Sequence, residues 1–452
     1  MVAVIAIFDI GKTNKKFFLF DEQYKIVVEK TETFAEIVDD DGDACENVQA
    51  LTAWVISTLS TVIKENKFSI KALNFSTYGA SFVYINKDQS IALPLYNYLK
   101  SYPAPLQKKF YEAYGSSADI ALQTASPVLG HLNSGMQLYW LKHQKPTAFN
   151  QVATALHLPQ YLSYLFTHHT AADLTSIGCH TQLWNFQTQQ YHNWVRQEKI
   201  DSILPPITSA TSTRSVNLEN TQIQVGIGLH DSSAALIPYL TAFSVPFILI
   251  STGTWCISLH PFNNDPLTPH ELENDCLFFM GYHGKPVKAA RLFAGHEHEV
   301  QTKRIANHFN VATDFYTSVV YDKSYIDFKL LSSTQNVPVG VHGSGFEHID
   351  LSDFKNEQHA YHALITQLMV QQKTSTSLVL GPTKVKRIFV DGGFGKNTIY
   401  MNLLAAAFPD IEVYAASVAQ ATAVGAALAI HESWNTKSIP NDMIELKFYT
   451  TL

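Results

Sequence analysis

The sequence predicts an α/β protein of two related domains, and three observations lead there. The chain has 452 residues, too many for one compact core and natural for two domains. It opens on an apolar run, Val2-Ala3-Val4-Ile5-Ala6-Ile7-Phe8. A polar turn, Asp9-Ile10-Gly11-Lys12-Thr13-Asn14-Lys15-Lys16, carries it into a second apolar run, Phe17-Phe18-Leu19-Phe20-Asp21. This reads as a buried strand, a turn and its hairpin partner. The same grammar returns half a chain later in Phe247-Ile248-Leu249-Ile250-Ser251-Thr252-Gly253-Thr254-Trp255-Cys256-Ile257-Ser258-Leu259. Two such hairpins suggest two related domains facing each other across a nucleotide.

The first turn has the chemistry for an anion. Gly11 removes a side chain, so backbone N–H groups can approach closely. Thr13 and Asn14 add donors, and the lysines add positive charge. Asp9 ends the strand at the same place, where it could hold a hydrated Mg²⁺. By itself the segment also reads as an ordinary turn with solvated lysines. Gly11-Lys12-Thr13 is not the end of a P-loop. Position 6 is Ala where that motif needs Gly, and a strand-like run follows instead of a helix.

Composition narrows the class. An apolar content of 46% and a charged content of 16% fit a soluble globular protein. The net charge is −7 with no long basic run, which argues against a nucleic-acid partner. Cys45, Cys179, Cys256 and Cys276 form no C-x-x-C pair and read as reduced thiols of a cytoplasmic protein. No apolar stretch reaches the roughly 18 residues of a membrane span, and the apolar start lacks the flanks of a signal peptide. The His296-Glu297-His298-Glu299 cluster lacks H-E-x-x-H spacing and reads as an exposed polar helix end, with a metal site as the lesser alternative.

The remaining elements follow in order. Glu46 to Glu65 carries apolar residues at helical spacing, and Ile70 to Ser76 reads as a strand. That strand runs into Thr77-Tyr78-Gly79-Ala80-Ser81, then a further strand, Phe82 to Ile85. A Gly beside polar and aromatic residues at a strand end can touch a ligand or mark a bulge. Residues 94–105, with Pro94, Pro103 and Pro105, read as a loop. His131 to Lys142 is predicted helical, with Asn133 and Gln137 one turn apart, and Ala148 to Phe166 reads as helix. Gln222 to Leu229 reads as a strand ending at His230-Asp231-Ser232. Asp231 falls where strand gives way to helix, which suits either a cap or a rigidly held general base. Glu357 to Ser377 is a long helix. Lys386 to Val390 is a strand ending in Asp391-Gly392-Gly393-Phe394-Gly395-Lys396-Asn397. The paired glycines let a flat ring lie on the backbone, and Asn397 can cap the next helix or meet the base. A strand at Glu412 to Ala415 and a small-residue helix, Ser417 to Ile430, complete the chain.

These pieces, in this order, resemble the FGGY carbohydrate kinases along nearly the whole chain. The first hairpin, His230-Asp231, Ser251-Thr252-Gly253-Thr254-Trp255, the Asp391–Asn397 turn and Ala419-Gln420-Ala421-Thr422-Ala423-Val424-Gly425-Ala426-Ala427 each match a family segment. Within the family, His230-Asp231-Ser232-Ser233-Ala234 and Thr77-Tyr78-Gly79-Ala80-Ser81-Phe82-Val83 are most similar to L-rhamnulose and L-fuculose kinases. Departures are Ser81 for the usual Asp, Tyr98 and Lys100 near a usual D-x-R pair, Lys12 for a small residue, and Gln420 for Glu.

The resemblance implies two ribonuclease-H-like domains of the actin/Hsp70/sugar kinase superfamily, residues 1–232 and 233–452, with a central cleft. The implied activity is γ-phosphoryl transfer from ATP to a small sugar, with Asp231 as catalytic base. Asp9, Gly11, Lys12, Thr13, Asn14, Lys16, Thr252, Gly253 and Thr254 would meet phosphate, and Gly392, Gly393 and Asn397 the adenosine. Gly79, Ser81, Asn133, His230, Asp231 and Ser232 would meet the sugar, and Asp9 would hold Mg²⁺ through water. A homodimer is compatible with this reading. The rivals are a pentulose kinase of the xylulose type and a non-catalytic nucleotide-binding sensor, the latter motivated by Ser81 and the altered residues 96–100.

Overall fold

The computed structural model describes residues 1–332 and 337–450. The first compact unit comprises Met1–Ala242, Phe278–Pro286 and Ala419–Met443; the second comprises Phe243–Leu277, Val287–Val418 and Ile444–Leu452. The helix Asp231–Ala242 runs unbroken through the division expected at residue 232, so the units separate after it.

The first unit is built on a sheet whose strands lie in the order Thr213–Leu218, Thr221–Gly226, Phe68–Thr77, Val2–Ile10, Lys15–Asp21, Ile26–Glu32. Val2–Ile10 is antiparallel to its hairpin partner and parallel to Phe68–Thr77. The second unit repeats the plan. Phe247–Thr252 is antiparallel to Cys256–His260 and parallel to Arg387–Gly392, and Glu412–Ser417 follows in parallel. Pro286–Leu292 takes the place of the third antiparallel strand. This is the duplication that the two hairpins predict. Both opening strands are apolar on both faces because both faces are covered. Val4 to Phe8 are fully buried, as are Phe247, Ile248 and Ile250.

In the first unit Phe8, Phe17 and Phe75 pack with Val55 and Leu59 of the helix Val48–Glu65. Gly425, in the helix Ala421–Ala429, packs against the helix Asp231–Ala242, where an added Cβ would lie 1.9 Å from the Ala234 carbonyl oxygen. Pro238 sits four residues after Ala234 and has no N–H to offer that carbonyl.

One stretch departs from the expected reading. Residues 148–166 are not a single helix: Val152–His157 is a strand paired antiparallel with Phe82–Asn86, and the helix is Leu158–Thr167. Pro159 sits in its first turn, where a missing N–H costs nothing. No helix among the described residues is long and apolar enough to cross a membrane.

Candidate active site

In the first unit the sheet register brings two carboxylates to one end. Asp9 lies opposite Ser76 and Ile10 opposite Thr77, while Ser76 and Thr77 pair on their other side with Leu229 and His230. Asp231 follows as the first residue of the helix Asp231–Ala242. Its Oδ1 accepts the Ser232 backbone N–H at 2.5 Å and the Ser232 hydroxyl at 3.2 Å. Crowding by the surrounding protein pushes the Asp231 carboxyl up to about 6, with the Ser232 donors opposing the shift. The side chain keeps 32% of its exposure, so it remains reachable. Asp9 is also pushed up to about 6, first by burial; a hydrogen bond from Thr422 opposes this, and the charge of Asp231 adds to it. The Thr422 hydroxyl donates to Asp9 Oδ2 at 2.6 Å.

His230 Nε2 lies 3.3 Å from Asp231 Oδ1 and 3.3 Å from Cys179 Sγ. Burial pushes His230 down to about 4, so the ring is neutral and the contact with Asp231 is no ion pair at neutral pH. Its Nδ1 is buried with no protein partner among the described residues, a polar atom poised for a ligand. Gly79 borders it, because a Cβ there would lie 2.8 Å from the His230 ring. Ser81 is buried in the following segment. Asn133 is buried and committed to its loop: Nδ2 donates to the Pro127 and His180 carbonyls and Oδ1 accepts the Leu129 N–H. Gln137 holds the same region through the Ala80 and His131 carbonyls.

The first turn closes through Gly11 N–H to the Asn14 carbonyl at 2.9 Å, leaving Thr13 and Asn14 exposed. Lys12 pairs with Glu36 at 2.7 Å, and Lys16 donates to Gln420 Oε1 at 3.2 Å. Lys15, expected among the lysines that add charge to the turn, is buried instead. Its buried ammonium pairs with Glu46 at 3.0 Å and donates to the Lys12 carbonyl at 2.9 Å, pinning the turn from beneath. Lys100, near the position of the usual D-x-R pair, is held by three acids. Its ammonium lies 2.9 Å from both Asp39 and Asp41 and 2.5 Å from Asp43.

In the second unit a cavity of about 680 Å³ opens between the second hairpin and the Asp391–Asn397 turn, a size that suits a small organic ligand. Gly253 and Gly393 line it, and a Cβ at either would meet nothing within 4 Å. Gly392 has φ +96°, and a Cβ there would lie 2.0 Å from the Thr252 carbonyl, so only glycine fits. The Thr252 hydroxyl donates to the Asp391 carbonyl at 2.7 Å and accepts the Phe394 N–H at 3.1 Å. It therefore ties the hairpin to the turn. Thr254 is exposed. Asn397 caps the helix Thr398–Ala407 and lines the cavity. His298, read from sequence as part of an exposed helix end, also lines it, among Tyr316 and Phe394. Its neighbour Glu299 pairs with Lys303, and His296 stacks on Phe293, so the cluster disperses around the helix Ala294–Phe309.

Residues 4–237 match the N-terminal domain of the FGGY family of carbohydrate kinases, and residues 244–438 match a carbohydrate kinase FGGY C-terminal domain. The structure is similar to a carbohydrate kinase from Novosphingobium aromaticivorans, with TM-score 0.79 and 22% identity over 100% of this chain and 95% of that one. It is similar to a xylulose kinase from Lactobacillus acidophilus, with TM-score 0.77 and 15% identity over 100% and 94%. A glycerol kinase from Plasmodium falciparum solved with ADP gives TM-score 0.69 and 17% identity over 96% and 90%. At these identities the likeness is one of fold. No curated protein matches the chain.

Proposed function

This chain belongs to the FGGY family of carbohydrate kinases, and we propose that it transfers the γ-phosphoryl of ATP to a hydroxyl of a small ketose with Asp231 as the base. The observation that carries the reading is the placement of Asp231. It is anchored at the start of a helix, raised toward neutrality, partly accessible, and beside a neutral His230 with an unpartnered Nδ1. A carboxylate so held can accept the hydroxyl proton as the phosphoryl group moves, and orients the attacking oxygen. His230, Gly79, Ser81 and Ser232 face the sugar in this reading, with Asn133 shaping their loop.

Phosphate contact falls to the Gly11–Asn14 turn and to Gly253 and Thr254. Lys12 and Lys16 supply charge, and Thr252 acts through its buried tie to the turn. Gly392, Gly393 and Asn397 would bound the adenosine. Mg²⁺ fits the site: Asp9 offers the hard carboxylate oxygen that such an ion takes, directly or through water. When bound, the ion would neutralise charge on the β- and γ-phosphates. The resemblance of 230–234 and 77–83 supports L-rhamnulose or L-fuculose. The xylulose kinases among the similar structures keep D-xylulose as a second reading. A cytoplasmic location, no nucleic-acid or membrane partner, and a homodimer belong to the same proposal.

The test is ADP release from Mg-ATP across a panel of ketoses and polyols, wild type beside Asp231→Ala. Sugar-dependent release that vanishes in the variant supports the kinase and ranks its substrates. Binding of ATP without transfer to any sugar of the panel would overturn it in favour of a sensor.

A further inference from the structure

Asn397 begins a chain of hydrogen bonds that fixes where one proton sits on the wall of the second-unit cavity. Its Oδ1 accepts the N–H groups of Ile399 at 3.0 Å and Tyr400 at 3.1 Å. That identifies the two ends of the amide: the other end is Nδ2, and it donates to Tyr361 Oη at 2.7 Å. Tyr361 is 1% exposed, so its own proton needs a protein acceptor. The remaining partner of the hydroxyl is His298 Nε2, at 2.9 Å. Nε2 therefore presents a lone pair. Burial pushes His298 down to about 4, so the ring is neutral at neutral pH and its single proton rides on Nδ1.

The ring's surroundings direct that proton to a ligand. Tyr316 and Phe394, both lining the cavity, meet His298 edge to face with centroids at 4.8 Å and 5.3 Å. Among the described residues Nδ1 has no hydrogen-bond partner, and it is not sealed from solvent. We propose that His298 reads the nucleoside through its Nδ1–H, donating to an uncharged acceptor on the ribose or the purine. Tyr361 and Asn397 act as positioning residues that hold the ring in this protonation form. The inference rests on the adenosine reading of the cavity and adds to it the residue that selects the nucleoside.

Two side chains separate the donor from mere packing. An Asn at 298 places an amide nitrogen where Nδ1 stands, whereas a Gln extends to the position of Nε2. His298→Asn, which keeps a donor at that position, is expected to show a KM for ATP several-fold below that of His298→Gln. His298→Gln is expected to raise it about tenfold with kcat retained, the scale of one lost hydrogen bond. Running 2′-deoxy-ATP, 3′-deoxy-ATP and 7-deaza-ATP identifies the acceptor as the one whose loss abolishes the Asn–Gln difference. ¹⁵N NMR of the histidine-labelled full chain without nucleotide, with His298 assigned by its absence in His298→Asn, should show the Nδ1–H form. Tyr361→Phe should mix the two forms. An Nε2–H form in a protein that turns over ATP would overturn this inference alone, as would equal KM values in the Asn and Gln variants. Failure of the wild type to bind ATP would overturn it together with the kinase reading.

Discussion

The Thr422 hydroxyl reaches Asp9 Oδ2 at 2.6 Å although the two residues stand 413 positions apart in sequence. The bond favours the ionised carboxylate, against burial and against the charge of Asp231. Thr422→Val removes the donor and keeps the shape. The expected outcome is an acidic limb of kcat/KM displaced to higher pH, with activity at pH 8 close to wild type. A pH profile of both proteins checks it.

The wild-type profile should itself fall as pH drops through about 6. Asp231 must be ionised to accept a proton, and its carboxyl is raised to about 6. Asp9 titrates in the same range and the two charges oppose each other, so the limb reports the pair. A limb in the ordinary carboxylate range, near pH 4, would contradict the burial that the fold imposes.

Asp231→Asn should lower kcat by roughly 10²–10⁴-fold, the usual worth of a general base, and at the same time stabilise the protein at neutral pH. Folding raises the pKa of this acid, so the folded state holds its proton more tightly than the unfolded chain does. The native state is then penalised progressively as pH climbs from about 4 to about 6, and fully above. With a third of the side chain accessible, the gain from Asn is roughly 1 kcal/mol or less. Urea midpoints at pH 7.5 should show it, and at pH 4 it should be gone.

Gly425→Ala should cost about 2–3 kcal/mol, as overpacking does when backbone must yield. The added Cβ would meet the Ala234 carbonyl at 1.9 Å, in the helix that begins with Asp231. Chemical denaturation measures the loss, and kcat should fall with it because the same helix sets the base.

Lys100→Met should destabilise by about 1–3 kcal/mol, less than a fully buried pair, since Asp41 and Asp43 are partly exposed. It leaves Asp39 and Asp43 without their ammonium, while Asp41 keeps Lys145 at 2.7 Å. Calcium should raise the melting temperature of the variant and leave the wild type unmoved, because Lys100 already holds the position a cation would take.

The parts legible in sequence were those whose signal is local. Both hairpins announce themselves because Val2–Phe8 and Phe247–Ile250 are unbroken apolar runs beside small polar turns, and the strand order that follows repeats around them. The position of Asp231 was legible because strand yields to helix within two residues. Val152–His157 was not: Val152, Ala155 and Leu156 fit a helical stripe equally well, and pairing with Phe82–Asn86 decided for strand. Pro159 was the overlooked local sign of a helix start. His298 lay in a polar H-E-H-E run, and its buried side comes from the rings of Tyr316, Tyr361 and Phe394, remote in sequence. The family resemblance assigned Thr252 to phosphate and Asn133 to the sugar; their backbone partners are set by loops that sequence spacing does not reveal.

The discontinuity of the first unit has a consequence for synthesis. Its sheet and the helix Asp231–Ala242 are complete by Ala242, yet Ala419–Met443 belongs to the same body. From that late segment come Thr422, on Asp9, and Gly425, against Ala234. A ribosome-bound chain therefore carries an unfinished first unit, with the Ala234 face uncovered, until more than nine-tenths of the chain has been made. In the usual order the leading domain folds before the trailing one emerges; here the leading unit lacks Ala419–Met443 until the trailing unit has been made as far as Val418.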